Sequence, residues 1–267
     1  MKRLIGVVLS LFIGGLVLVA GPTAVSAADG ETDGASSGDL YRTSSASPYR
    51  HLRDHRGYFH IAPSLGIPAL VGDVDVAGEA GQLDADAAGN LRNIDLMTGL
   101  ELEVGYRNVG LVTDFRHFDI STDDIDVGDG DSTFDLETFV SHVAVAWTRS
   151  PVDVLKLGPY AGVRHVWARP GLNEEGTSSE HWFDPMLGLR GRLTFLDDRL
   201  YVPWYGDVGG IGYGSELSWR AYAGTGLRVH QTEFELGYRA LYIDYAGDQF
   251  DYDVLQHGPT LTTRFRF

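Results

Sequence analysis

The sequence predicts an all-β chain: a transmembrane, up-and-down antiparallel β-barrel of about ten strands. Three observations predict it. The chain opens on an export signal, its residues from Gly57 onward fall into strand-length segments with period-two patterning, and the connections between them alternate between short and long.

Residues 1–27 carry Lys2 and Arg3, an apolar run from Leu4 to Ala20, and Val25-Ser26-Ala27 as a small-x-small site. That order predicts a Sec signal peptide cleaved after Ala27. The run lies near the lower limit of the ~20 residues a spanning helix needs, but the small-residue ending and the polar stretch after it favour cleavage over an anchor. The chain has no Cys, so lipidation at the junction, disulfides and thiol chemistry are all excluded. Cleavage removes two basic residues and no acid, taking the formal charge from -16 to -18. That balance argues against nucleic acid as a partner. The mean hydropathy of -0.10 resembles that of a soluble protein, yet a membrane barrel looks the same because only alternate residues meet lipid. Residues 28–56 are rich in Gly, Ser, Asp and Arg without periodicity, and are expected to form a flexible periplasmic tail or linker. Residues 57–267 are the expected barrel, with no peptidoglycan-binding domain.

The strand segments are 57–67, 93–106, 109–120, 134–148, 154–168, 181–195, 200–212, 217–230, 233–245 and 253–267. Eight strands is the alternative if the first or third pairing is misassigned. Arg107-Asn108, TRSPVD, LDDR and HQT are short connections. The stretches between Pro68 and Arg92, STDDIDVGDGDST, RPGLNEEGTSS, GGIGYGSE and AGDQFD are longer or more polar. Short turns at one end and long loops at the other, with an even strand number, match outer-membrane barrels. A soluble β-sandwich gives no reason for that alternation.

Sorting by face separates the side chains. On 134–148, Phe139, Val143, Val145 and Trp147 oppose Thr138, His142, Ala144 and Ala146. On 181–195, Phe183, Leu187, Leu189, Leu193 and Phe195 oppose Trp182, Asp184, Gly188, Arg190, Arg192 and Thr194. On 217–230, Trp219, Ala221, Ala223, Leu227 and Val229 oppose Arg220, Tyr222, Gly224, Gly226 and Arg228. On 233–245, Phe234, Leu236, Tyr238 and Tyr242 oppose Glu235, Gly237 and Arg239. One face suits lipid and the other carries charges of both signs. Trp147, Trp167, Trp182, Trp204, Trp219 and Tyr242 are expected in the interfacial girdles. In the last strand Pro259, Leu261, Thr263, Phe265 and Phe267 share a face, with Arg264 and Arg266 on the other.

The stretch WFDPMLGLRGRLTF, with GDVGG at 206–210, GYR at 237–239 and the closing TLTTRFRF, resembles a broad family of small bacterial outer-membrane β-barrel proteins, loosely OmpA-barrel-like and mostly of unassigned activity. The resemblance covers 182–267 well and the earlier strands only in pattern. It implies an outer-membrane address and a final strand whose Phe265 and Phe267 are recognised by the barrel-assembly machinery after delivery by periplasmic chaperones. The implied surroundings are outer-membrane lipid and lipopolysaccharide, with a monomeric barrel.

The inward candidates are Glu101, Glu103, Asp114, Arg116, Lys156, Arg164, Asp184, Arg190, Arg192, Asp207, Arg228, Glu235, Arg239, Arg264 and Arg266. In a lumen barely wider than side chains can fill, they are expected to form a salt-bridged plug, with a narrow pore for small polar solutes as the alternative. The expected role is non-enzymatic, in envelope integrity or surface interaction, without a cofactor. A hydrolase or lipid-A-modifying site would need a histidine paired with an acid or hydroxyl at the rim. His117, Asp119, His165, His181, Asp184, Asp244 and His257 are the only candidates, and no pair has a specific spacing. The acidic loop from Asp123 through Asp124, Asp126, Asp129, Asp131 and Asp135 to Glu137 offers hard oxygens but fails EF-hand spacing, so a solvated loop is expected rather than a metal site. Gly206, Gly209, Gly210, Gly212, Gly214, Gly224 and Gly226 are too scattered for a phosphate cradle and are expected to be structural.

Overall fold

The computed structural model describes residues 57–76, 79–85, 96–127, 130–172, 175–176, 179–247 and 250–267. The expected signal peptide with its Ala27 site, and the expected tail 28–56, lie outside the described residues. Fourteen strands follow in order: β1 Gly57–Gly66, β2 Ala69–Val76, β3 Glu79–Ala85, β4 Met97–Tyr106, β5 Val109–Val127, β6 Gly130–Trp147, β7 Arg149–Val152, β8 Leu155–Leu172, β9 Glu175–Gly176, β10 Glu180–Phe195, β11 Leu200–Tyr213, β12 Ser215–Val229, β13 Thr232–Ala246 and β14 Phe250–Arg266. Ten of them, β1, β4, β5, β6, β8 and β10 to β14, form one antiparallel circuit. It closes where β1 pairs β14, with Ile61 opposite Phe265 and Leu65 opposite Leu261. Closure leaves no edge with unpaired backbone groups, the condition a sheet must meet to sit in hydrocarbon.

The short connections cluster at one end of the barrel, together with Gly57 and Phe267; this is the turn end. Non-glycine residues turn the chain there in left-handed conformations, at Arg107 (φ 56°), Leu196 to Asp198 (φ 50–68°) and His230 (φ 58°). At the other end the expected loops are mostly strand. Past Gly66, β2 continues up the flank of β14, Leu70 opposite Gln256 and Val74 opposite Tyr252, and returns as β3. The hairpin β5–β6 pairs as far as Val127 and Gly130 through the acidic stretch, with a register shift between Thr122 and Ile125. GGIGYGSE is not a loop but a sharp corner between β11 and β12, where Gly210, Gly212 and Gly214 take φ of 76–78°. Ladder hydrogen bonds use the backbone alone, so a polar run can still pair when water takes its side chains. The alternation seen in the sequence is therefore an overhang of long hairpins beyond the barrel wall.

Polarity inverts along that length. Toward the turn end, β14 points Leu261 and Phe265 outward and Thr262 and Arg264 inward; toward the loop end it points Asp251 and Asp253 outward and buries Phe250, Tyr252 and Val254. Strand β13 does the same, with Leu236 and Tyr238 outward beside inward Glu235 and Arg239, then Asp244 outward beside buried Leu241 and Ile243. Strand β5 passes from outward Leu111 and inward Asp114 to outward His117 and Asp119 and buried Phe118. The turn-end part has the pattern of a barrel in lipid and the loop-end part that of a barrel in water.

The loop-end interior is an apolar core. Leu70, Val74, Met97, Phe118, Leu136, Val140, Val166, Trp182, Leu241, Ile243, Phe250, Tyr252 and Val254 pack together inside it. Trp182, expected in a girdle, belongs to this core at 5% exposure; its ring stacks on Tyr245 at 3.8 Å between centroids and 8° between planes. Its neighbours Phe183, Leu187 and Leu189 do face outward, as their parity requires.

Candidate functional site

Below the apolar core the barrel interior is charged, and strand register sets each partner. Arg220 stands at the centre of an upper layer. Its Nε donates to Asp207 at 2.8 Å and its Nη1 to Asp114 at 3.0 Å. Asp114 also accepts from Arg239 at 3.1 Å, and Arg116 Nε lies 2.8 Å from its other oxygen without hydrogen-bond alignment. Asp207 is shared further with Arg164 and, at 2.6 Å, with the Tyr160 hydroxyl. Arg164 Nε donates to His142 Nε2 at 2.9 Å, so that nitrogen is an acceptor and the ring is neutral with its proton on Nδ1. Arg116 also donates to Ser64. Tyr205 and Tyr222 stack at 5.1 Å beneath Arg220 and Arg239. Between this layer and the apolar core is a cavity of about 10 Å³ lined by Arg116, His142, Arg220 and Arg239, room for no more than about one water.

A second layer lies nearer the turn end. Arg190 holds Glu103 through two bonds of 2.7 and 3.0 Å, and Tyr58 donates to the same carboxylate at 2.8 Å. Arg264 bridges Glu235 at 2.7 Å and Glu101 at 2.9 Å, with the Tyr201 hydroxyl on Glu235 at 3.0 Å. Glu233 is the hub: Arg192 grips it with bonds of 2.8 and 2.9 Å, Arg228 donates at 2.7 Å and Arg266 at 2.8 Å, and Arg264 stands 3.8 Å away. Its side chain is 0% exposed. Taking a carboxylate out of water is costly unless its oxygens are fully engaged, and here they are.

Every sequence-derived inward candidate points into the barrel. All but Asp184 and Lys156 join these two layers. Asp184 sits higher, accepting from the Ser215 backbone at 2.8 Å and from the Ser215 and Ser218 hydroxyls at 3.0 and 2.7 Å, next to the Trp182 indole, which donates to Ser215 Oγ at 2.8 Å. Lys156 has no ion pair within 4 Å among the described residues; it stands across from Arg192 in the β8–β10 register. Glu233, Arg220 and the tyrosines Tyr58, Tyr160 and Tyr201 were missing from the sequence-derived set. Parity already puts Arg220 on the charged face with Gly224 and Arg228, and the same parity reaches Glu233, two residues before Glu235. Among the described residues the charged layers hold nine inward arginines against six carboxylates, Glu101, Glu103, Asp114, Asp207, Glu233 and Glu235, and Lys156 adds a tenth inward cation outside the pairing.

Within the second layer, whose Glu101, Glu103, Arg190, Arg192, Glu235 and Arg264 line its walls, a cavity of about 360 Å³ opens at the turn end. Arg116, Arg239, Tyr205 and Tyr222 form its ceiling, and Arg107, Asn108 and Ser150 stand at its mouth.

The rim histidines do not assemble. His117 pairs with Glu137 at 3.2 Å on the outside, and Arg169 adds 2.5 Å to that carboxylate. There burial, and then the Glu137 charge, raise the Asp119 carboxyl above its ordinary pKa. His165 lies edge-on to His181 and tilted against Phe183 on the outer face, and His257 meets the Tyr238 hydroxyl at 2.5 Å on another strand pair. Asp184 is inside, and Asp244 outside. No group of three metal-ligating side chains exists among the described residues. The side chains from Asp123 to Asp131 in the acidic hairpin lie outside the described residues.

Among solved structures the chain is similar to the outer-membrane protease OmpT of Escherichia coli, with a TM-score of 0.53 and 9% identity over 79% of this chain and 97% of that one. It also matches neisserial surface protein A (TM-score 0.37, 11% identity, 79% of this chain and 97% of that one). A third match is Ail of Yersinia pestis (TM-score 0.35, 14% identity, 78% and 99%). All three are bacterial outer-membrane β-barrels. At 9% identity the OmpT likeness shows the fold and nothing finer. No family model and no curated protein matches the chain, so the narrower OmpA-barrel-like grouping rests on the quoted motifs alone.

Proposed function

We propose that this chain is an integral outer-membrane β-barrel without enzymatic activity, whose lumen is sealed and whose loop-end half stands out of the membrane in the service of envelope integrity or surface interaction. The observation that carries the reading is the interior itself. A solute entering at the turn end meets the Arg220–Asp114–Asp207 layer, and above it a close-packed apolar core. An ion crossing that core would lose its hydration with nothing to replace it.

The inversion of polarity within single strands supports the placement. Outward Leu236 and Phe265 suit hydrocarbon, whereas outward Asp244, Asp251 and Asp253 suit water among lipopolysaccharide headgroups. In this reading the chain passes through Sec, loses residues 1–27 after Ala27, and is inserted as a monomer by the barrel-assembly machinery from periplasmic chaperones. Phe265 and Phe267 would serve as the insertion signal. Phe267 closes the last turn of the circuit, exchanging backbone bonds of 2.9 and 3.2 Å with Phe59 and stacking on its ring at 5.9 Å. An exposed aromatic at that corner is available to an insertion factor until the barrel meets lipid.

Single-channel recording tests the seal. Mature protein refolded into a planar bilayer, its folding verified by a cold-versus-boiled gel shift, is expected to give no steady unitary steps. Regular steps that change in size when Arg190 or Arg239 is replaced would make the barrel a pore and overturn the reading.

A further inference from the structure

The turn-end cavity carries an excess of positive charge that the protein does not neutralise. Glu233 accepts from Arg192, Arg228 and Arg266 at once, and Asp198 lies 3.8 Å from Arg228 at the turn, so two carboxylates serve three guanidinium groups. Lys156, facing Arg192 across the ladder, adds an ammonium with no ion pair within 4 Å among the described residues. Arg266 gives Glu233 a single bond from Nη1, and its side chain is 32% exposed, leaving further N–H groups for another acceptor. All three cations line the same cavity, whose volume of about 360 Å³ falls in the ~300–1,000 Å³ range of small-molecule sites. The whole chain is strongly acidic, at -16, so this concentration of cations runs against its overall balance and is not part of a generally basic surface.

We propose that the turn-end cavity binds a small phosphate-bearing anion, held by Lys156, Arg192 and Arg266. Three cations converging from two sides of the barrel suit a tetrahedral oxyanion, whose several oxygens can accept from an ammonium and two guanidinium groups at once. A single carboxylate is less suited, since Glu233 already takes the planar bidentate grip of Arg192. The upper charged layer and the apolar core close the cavity from above, so the anion is a bound ligand from the turn-end compartment and not a permeating one. The inference goes beyond the sealed-barrel reading and does not depend on what the loop end does.

Isothermal calorimetry of the folded full chain in non-ionic micelles, with inorganic pyrophosphate as probe, provides the test. Saturable heat at one site per chain is expected, falling off with added salt. Lys156→Gln is expected to weaken it by ~10-fold or more, the scale of one lost charged hydrogen bond. This variant orphans no carboxylate, so the barrel should fold. Arg266→Gln should act likewise, while Arg169→Gln on the outer face should change nothing. A parallel titration with phosphatidylglycerol in mixed micelles separates the two sources of such a phosphate. A Lys156-dependent response to pyrophosphate marks a free anion, and one confined to the lipid marks a headgroup reaching the mouth. No saturable heat with either probe, or heat indifferent to both cavity variants in a protein that passes the gel-shift test, would overturn the site.

Discussion

Replacing Glu233 with alanine is expected to lower the barrel's unfolding free energy by about 3–5 kcal/mol, the cost of breaking a buried ion pair from one side. The magnitude follows from what remains. Arg192, Arg228 and Arg266 would keep their charges in a part of the interior with 14%, 12% and 32% side-chain exposure and lose their shared acceptor. Of the neighbouring carboxylates, Glu235 is held by Arg264 and Tyr201 and Glu103 by Arg190 and Tyr58, while Asp198, 46% exposed and 3.8 Å from Arg228, reaches that arginine alone. Glu101→Gln is the control. That carboxylate is 18% exposed, and its partner Arg264 retains Glu235, so the loss should stay under about 1 kcal/mol. Equilibrium guanidinium unfolding in micelles, followed by tryptophan fluorescence, would compare the two. Equal costs would mean that the second layer is a diffuse screen of charge without a hub. The anion proposed for the cavity would sharpen the contrast: without Glu233 an added phosphate should recover part of the lost stability.

The circuit of strands was legible because each strand toward the turn end obeys one rule, apolar outward and polar inward, over enough residues to be counted. The inward charges were legible for the same reason. The overhang was not, because toward the loop end the rule reverses. In the PTLTTRF stretch at 259–265 the outward parity is greasy, as with Leu261 and Phe265, yet ten residues earlier the same parity reads Asp251 and Asp253. A pattern that changes sign within a strand looks like a strand followed by a polar loop, and the acidic run of β5–β6 has that look. The partners within the plug were also beyond the sequence. That Arg220 reaches Asp114, 106 positions away, depends on which strands the closed circuit sets opposite each other across the lumen. Parity places a side chain inside but says nothing of its height or its partner. Glu233 is two residues from a turn, and so close to a strand end parity alone does not separate an inward side chain from a solvated one.

Trp182→Ala distinguishes the two halves of the barrel most sharply. A girdle tryptophan lies against lipid and headgroups, and its removal exposes no buried surface of the protein. In the structure Trp182 instead fills the loop-end core, stacks on Tyr245 and donates its indole N–H to Ser215 Oγ at 2.8 Å, while Ser215 in turn is held by Asp184. Alanine there would leave a cavity the size of an indole in the core that holds Val140, Val166 and Ile243, and would take one donor from a hydroxyl that keeps its bond to Asp184, at a cost of about 3–5 kcal/mol. Trp219→Ala serves as the comparison, since Trp219 faces outward and stacks on Tyr242 at 6.0 Å. Its loss should cost about 1 kcal/mol, the scale of one aromatic pair. Because unfolding of the loop-end core need not disrupt the lipid-facing circuit, the Trp182 variant should also become sensitive to protease in β12 and β13 near Ser215 and Asp244 while still showing the boiling-dependent mobility shift of a folded barrel. Protease resistance equal to the parent's, with a small stability loss, would return Trp182 to the girdle and dissolve the distinction between a half in lipid and a half in water.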